Sequence, residues 1–241
     1  QPRLNIVYED ENLLLCDKRP GLLCHPDQNE YVSTLITHIQ AYLYQKKEWD
    51  PRAENSFTPA LCNRIDRNTG GIVIAAKNAE TLRILNQKIK DRELEKYYLA
   101  IIHGRMEPAE GKLESFLVKD EAKKQVSVHR RPMPGGKSAA TLYRTLASAN
   151  GLSLVECELI TGRTHQIRAQ FAAAGHPLLG DGKYGRQRDN KKFDRKFQAL
   201  YSYKLRFHFT TDAGCLEYLN RREWAVSDVD FVREYFPDFH M

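Results

Sequence analysis

The sequence predicts an α+β protein on a largely antiparallel or mixed β-sheet with flanking helices. Three observations carry this. Short apolar runs of strand length outnumber helical patterns. They do not alternate regularly with helices, as parallel βαβ folds require. The run ALYSYKLRFHF (199–209) has period two, with Tyr201, Tyr203, Leu205, Phe207 and Phe209 on one face and Ser202, Lys204, Arg206 and His208 on the other. That is a half-buried strand.

LNIVY (4–8) and NLLLCDK (12–18) open the chain as short strands rich in Leu, Ile and Val. A helix is expected over 33–47, with Leu35, Ile36, Ile39, Tyr42 and Leu43 on its apolar face. GGIVIAA (70–76) is a continuous apolar run starting at glycines, as a buried strand does. A second helix is expected over 79–91, with Asn78 as N-cap and Leu82, Leu85 and Ile89 repeating along one face. KYYLAII (96–102), AATLYRTL (139–146) and LSLVECELI (152–160) follow as strands. A third helix begins after Thr164 and stops at Gly175, with Ile167, Phe171 and Ala174 inward, and a last one covers 228–236. RRPMPGG (130–136) reads as a loop between strands. There is no internal repeat and no linker-like stretch, so one catalytic-size domain over 1–241 is expected.

Of 241 residues 41% are hydrophobic and 28% charged, the profile of an ordinary soluble globular protein. No apolar run approaches the roughly 18 residues of a membrane span, and no secretory signal opens the chain. The cysteines, Cys16, Cys24, Cys62, Cys157 and Cys215, are odd in number and never spaced C-x-x-C. Neither a zinc site nor a disulfide framework is expected, and a reducing cytoplasm is the simplest setting. The net charge is +6. Residues 183–197, KYGRQRDNKKFDRKF, hold seven Lys/Arg against two Asp, interleaved with Tyr184, Phe193 and Phe197. A solvated basic loop is one reading; RNA is the other, since rings stack bases and cations hold phosphates.

Two clusters point to chemistry. NRIDRNTGG (63–71) sets Asp66 between Arg64 and Arg67 in a connection leading to the buried strand. Flanking guanidinium groups favour an ionised carboxylate, although a structural ion pair at a turn would look the same. TGRTHQIRAQF (161–171) places Arg163, a threonine cap, His165, Gln166 and Arg168 at a helix start, an arrangement that suits an anion; a merely capped, solvated terminus is the plainer alternative. In EKYYLAIIHG (95–104), Tyr97 and Tyr98 point to opposite faces of a strand. In DKRPGLLCHP (17–26) a strand ends in a Pro-Gly turn, and His25 is structural or RNA-adjacent. There is no P-loop, G-x-G-x-x-G, G-x-S-x-G or H-E-x-x-H, which argues against nucleotide hydrolysis, dinucleotide chemistry and the common hydrolase mechanisms.

Together these segments resemble the RluA-type family of RNA pseudouridine synthases over nearly the whole chain, in order. DKRPGLLCHP is similar to its K-P-x-G-L-x-x-H-P segment, NRIDRNTGGIVIAAKN to its H-R-L-D-R-x-T-S-G loop, EKYYLAIIHG to its K-x-Y-x-A-x-x-x-G strand, and TGRTHQIRAQFAAAGHPLLGDGKYG to its G-R-x-H-Q-x-R helix and G-D-x-x-Y-G turn. Asn63 departs from the family's usual histidine and Gly70 from its frequent serine. The resemblance implies a twisted mixed, mainly antiparallel sheet crossed by an RNA-binding cleft. It implies isomerisation of uridine in RNA, without cofactor or metal, by an enzyme that flips the base. Ribosomal RNA of the large subunit is the commonest target of close relatives, and transfer RNA the alternative. Asp66 corresponds to the catalytic carboxylate, which adds to C6, attacks C1′ or supports a glycal. Arg168 corresponds to the arginine that pairs with it, and Tyr98 to the tyrosine on the target base. Arg64, Arg67, Arg163, His165 and Gln166 fall to the bound nucleotide, and Arg186, Arg188, Lys191 and Lys192 to the surrounding RNA. Many relatives carry an S4 domain ahead of this region, and none is expected within 1–241. A monomer is expected. Two competing readings are weaker: a non-catalytic RNA binder has no need of Asp66 or Tyr98, and a sugar-bond hydrolase needs a second acid near Asp66.

Overall fold

A computed structural model of the chain describes residues 3–241. The fold is α+β, and the strand pairings within each of two compact units are antiparallel. The first unit runs through Leu94 and includes Lys204–Val226; the second comprises Glu95–Tyr203 and Ser227–Met241.

In the first unit, β1 (Ile6–Glu9) pairs with β2 (Leu13–Lys18), and β2 pairs with β4 (Gly70–Ala76) in the register Leu13↔Ala76 to Lys18↔Gly71. A short β3 (Ala60–Leu61) adds to β4. The unbroken apolar character of β4 follows from burial on both faces. Ile72 and Ile74, with Leu13 and Leu15 of β2, pack against Ile84 and Leu85 of α2 (Ala79–Lys90). Val73 and Ala75, with Leu14 and Cys16, pack against Leu35, Ile39 and Leu43 of α1 (Leu35–Gln45). Thr34 caps α1 in a reciprocal box with Thr37, and the Asn78 side chain accepts from Thr81 N at the start of α2. The buried face of α2 is Thr81, Ile84, Leu85 and Lys88, so Leu82 and Ile89 lie at its margin. The Lys88 ammonium is fully buried and bonds Glu93 Oε2 at 3.3 Å and the carbonyls of Thr211 and Asp212.

The second unit orders its strands β5-β9-β8-β6-β7: β5 (Leu94–His103, entered from the first unit), β9 (Leu152–Leu159), β8 (Lys137–Ala149), β6 (Glu110–Asp120) and β7 (Gln125–His129). Residues 130–136 join β7 to β8 as expected. β8 and β9 meet at a two-residue turn, Asn150 and Gly151, both with positive φ (55° and 75°), which matches the twist of the strands it joins. Helix α3 (Gln166–Ala173) packs Ile167 and Phe171 inward, whereas Ala174, expected on that face, is exposed. A short α4 (Gln187–Lys191) lies in the basic segment, and α5 (Asp230–Tyr235) closes the unit. Strand β10 (Leu200–Phe207) carries the chain back, and its Lys204–Arg206 portion pairs with β11 (Glu223–Ala225) in the first unit. Among the described residues no helix is long and apolar enough to cross a membrane.

Candidate active site

The Asp66 loop of the first unit is held by backbone and by buried side chains. Asn63 turns its side chain back onto β4, where Oδ1 accepts from Ile74 N at 2.8 Å, while Cys62 N donates to Ile74 O at 2.7 Å. Asn63 thus extends the β3 ladder by one side-chain bond, a task an amide oxygen performs in any protonation state. Asp66 is half-buried at the start of a turn closed by Thr69 N donating to its carbonyl at 3.1 Å. Arg67 is exposed, its Nε donates to Gly21 O at 3.1 Å, and its own carbonyl accepts from Gly21 N at 2.8 Å. Exposed Arg64 has no hydrogen-bond or ion-pair partner among the described residues.

Lys18 makes this loop and the DKRPG turn one structure. It is 1% exposed, and its Nζ donates to the carbonyls of Arg19 (3.1 Å), Leu22 (2.7 Å) and Arg67 (2.9 Å). The last of these belongs to the residue after Asp66. Burial pushes the ammonium down to about 8, opposed by the fields of Cys24 and Asp66. A cation is therefore buried beside the candidate catalytic loop, a placement the sequence reading did not single out. Cys24 Sγ lies 3.5 Å from Ile65 O, adding a weak contact beneath the loop. His25 is half-buried with its Nδ1 enclosed and without a hydrogen-bond partner among the described residues, and burial, with the charge of Arg64, lowers its pKa.

In the second unit, Tyr98 is buried on β5 opposite Cys157. Tyr97 takes the other face of the strand, with its hydroxyl 3.2 Å from Glu95 Oε2, and burial, followed by the charges of Glu158 and Glu95, raises its pKa. The start of α3 differs from the expected threonine cap. The N-cap is His165 in the left-handed region (φ 53°), without a side-chain cap. The reason is Gln166. Its Oε1 accepts from Thr161 Oγ1 (2.7 Å) and Arg163 N (3.0 Å), and its Nε2 donates to Ala140 O (3.0 Å) and Thr141 Oγ1 (2.8 Å). This buried amide ties the TGR turn to β8, and the helix starts at His165 with Thr164 exposed. Gln166, expected on the bound nucleotide, is an interior brace. Arg163 is half-buried, with Nε on Ser138 O at 2.9 Å.

Arg168 is clamped by a residue that the sequence did not flag. Asp181, fully buried, receives Arg168 Nε at 2.7 Å on Oδ2 and Nη2 at 3.0 Å on Oδ1. Burial raises the Asp181 pKa, but the Arg168 hydrogen bonds and charge and the amides of Tyr184 and Lys183 outweigh it and hold the carboxyl below its usual value. The Arg168 guanidinium also lies 5.3 Å from the centroid of the Tyr184 ring. The Tyr184 hydroxyl meets His165 Nδ1 at 2.7 Å and accepts from Val126 N at 3.0 Å. His165, Arg168, Asp181 and Tyr184 form one cluster. The turn ahead of Asp181 needs Gly180, because any Cβ there would meet Phe197 O at 2.1 Å.

The basic segment is only in part what was expected. Arg186, Arg188, Lys191 and Lys192 are exposed. Arg186 and Arg188 approach Asp189 at 3.5 and 3.6 Å, weak surface pairings. The rings anticipated as stacking platforms turn inward: Tyr184 sits in the Arg168 cluster, and Phe193 packs against His103 and Tyr235. Phe197 alone of the three is largely exposed. Asn190 Oδ1 fixes α4 to the GDG turn through Gly180 N (3.0 Å) and to the end of β5 through His103 Nε2 (2.9 Å).

Residues 12–173 match the RNA pseudouridylate synthase family, and the chain belongs to it. Over 202 residues it is 36% identical to the ribosomal large subunit pseudouridine synthase D of Borreliella burgdorferi, covering 83% of this chain and 60% of that protein. An uncharacterized RNA pseudouridine synthase of Mycoplasma genitalium is 35% identical over 208 residues, covering 85% of this chain and 64% of that protein. The chain thus spans about three-fifths of the length of these relatives. In fold it is similar to human RNA pseudouridylate synthase domain containing 4, with a TM-score of 0.71 at 22% identity, covering 94% and 89% of the two chains.

Proposed function

We propose that this protein is an RNA pseudouridine synthase acting on large-subunit ribosomal RNA. The observation that carries the reading is the Asp66 loop. A half-buried carboxylate stands in a turn fixed on one side by Asn63 and on the other by the buried Lys18 ammonium, within a sequence of the matching family. A carboxylate that acts on an extruded nucleoside needs a fixed position and shelter from water. In this reading Asp66 is the catalytic carboxylate, whether it adds to C6, attacks C1′ or supports a glycal, and Tyr98 packs on the target base. Arg168 supplies the paired guanidinium, held in one rotamer by Asp181 and the Tyr184 ring. Arg64, Arg67 and Arg163 hold the nucleotide, His165 and Gln166 set the turn that presents Arg163, and Arg186, Arg188, Lys191 and Lys192 grip flanking phosphates. The reaction breaks the N1–C1′ bond and joins C5 of the same base to the same C1′, with the C5 proton lost and one gained at N1, and is redox-neutral. The two units act as one catalytic domain, the protein works as a monomer, and five free thiols accord with the cytoplasm.

Pseudouridine mapping of total RNA from cells with and without the protein tests the assignment. Loss of one large-subunit site is expected; loss of a transfer-RNA site redirects the substrate, and an unchanged map contradicts the reading.

A further inference from the structure

Lys96 lies two residues before Tyr98 on β5, so both side chains leave the same face of the strand. Its Cα is opposite Leu159, at the end of β9 that leads into the TGR turn. The Nζ reaches that turn: a Cβ built on Gly162 would meet it at 3.5 Å and, chain neighbours aside, nothing else within 4 Å. Lys96 has no hydrogen bond or ion pair among the described residues, although its side chain is largely withdrawn from water. Withdrawal lowers its pKa, with no opposing carboxylate among the causes. Arg163, the next residue, spends Nε on Ser138 O, and its two terminal nitrogens have no partner among the described residues.

Lys96 Nζ and Arg163, the residue after the glycine, thus bring two cationic side chains to one exposed turn. A protein gains nothing in stability from such a pair, since desolvating an uncompensated ammonium is unfavourable and its neighbour has the same sign. An anion with several acceptor oxygens, seated over Gly162, relieves both. We propose that Lys96 and Arg163 together hold one backbone phosphate of the bound RNA over Gly162, making Lys96 a substrate-binding residue beside Tyr98. The inference deepens the reading of the chain as an RNA pseudouridine synthase and rests on it. A phosphate here anchors the strand next to the face that carries Tyr98, which positions a nucleotide without reading its base.

The test compares wild type, Lys96→Met and Lys96→Arg for binding to unmodified large-subunit ribosomal RNA transcribed in vitro, across a salt series. Loss of one phosphate contact to single-stranded RNA lowers the slope of log K against log salt by about 0.7. Lys96→Met is expected to show that drop, with affinity about tenfold weaker at physiological salt, the scale of a single charged hydrogen bond. Lys96→Arg keeps the wild-type slope. Thermal unfolding supplies a second readout: Lys96→Met melts at or above the wild-type temperature, because it removes a charge the fold does not compensate. An unchanged slope in Lys96→Met, or a variant that melts lower or does not fold, overturns the proposal. Conversion is measured on the same transcript. Wild type that binds without forming pseudouridine contradicts the catalytic reading and leaves the slope comparison to decide on Lys96.

Discussion

Replacing Lys18 with methionine keeps the stem and removes the ammonium. Three interior carbonyls then lose a donor: Arg19, Leu22 and Arg67. Arg67 O keeps Gly21 N and Arg19 O keeps Leu22 N, so what is lost is three hydrogen bonds from a charged donor, about 1.5–2 kcal/mol each and about 4–6 kcal/mol together. Against this stands relief from burying the charge. The fall of the Lys18 pKa from 10.5 to about 8 corresponds to about 3 kcal/mol. The variant should therefore be less stable by about 1–3 kcal/mol near neutral pH, measured by urea unfolding. The pH dependence gives a sharper test. The native pKa lies below the unfolded one, so between about 8 and 10.5 the unfolded chain binds the proton more tightly. Wild-type stability rises with pH in that window, and a methionine has no such term. The gap between the two proteins should widen by about 2 kcal/mol from about pH 7 to about pH 9.5. Turnover should fall more than RNA affinity, because the Arg67 carbonyl that loses the ammonium adjoins Asp66. Equal stabilities, or a gap that is constant with pH, would refute the claim that this ammonium holds the loop.

Other substitutions probe the remaining supports. Arg168→Ala strands the buried Asp181 carboxylate and should destabilise by about 3–5 kcal/mol in thermal or urea unfolding. In the wild type the depressed Asp181 pKa contributes stability that is present above the usual carboxylate pKa and lost as pH falls through the native value. The Arg168→Ala protein should therefore lose less stability than wild type when acidified, and a larger loss contradicts the pairing. Asn63→Ala removes the acceptor for Ile74 N and should cost about 1–2 kcal/mol; an unchanged urea midpoint would show that water replaces it. Gln166→Leu should lower turnover by disordering the TGR turn, and crystallography of the variant should show Arg163 displaced from Ser138.

What the sequence revealed follows its apolar patterning. The β2 and β4 runs were legible because helices cover both faces, and α1 and α2 because their caps and apolar stripes coincide. β6 and β7 were not. Their side chains are mostly exposed or half-exposed, so KLESFLVKD and QVSVH carry too little apolar alternation to stand out. The Asn150-Gly151 dipeptide marked the β8–β9 hairpin and was a usable signal. α4 has five polar residues and no buried face, and Asn190 holds it through contacts distant in sequence. The motif residues of the site could be named from the sequence, but their supports could not. Lys18 at the end of β2 and Asp181 in the GDG turn are charged residues beside Gly-containing turns, where exposure is the usual fate, and only the folded chain shows them buried. The expected helix cap failed for a related reason. Nothing local shows that the Gln166 amide would be consumed by Thr161, Arg163, Ala140 and Thr141.

The central claim is that the Asp66 carboxylate performs the chemistry, and Asp66→Asn tests it with almost no change of shape. Pseudouridine formation and RNA affinity are measured on the same unmodified large-subunit ribosomal RNA. The account predicts conversion abolished with affinity within about twofold of wild type, since the carboxylate is not a phosphate contact. Conversion that persists near the wild-type rate would contradict it.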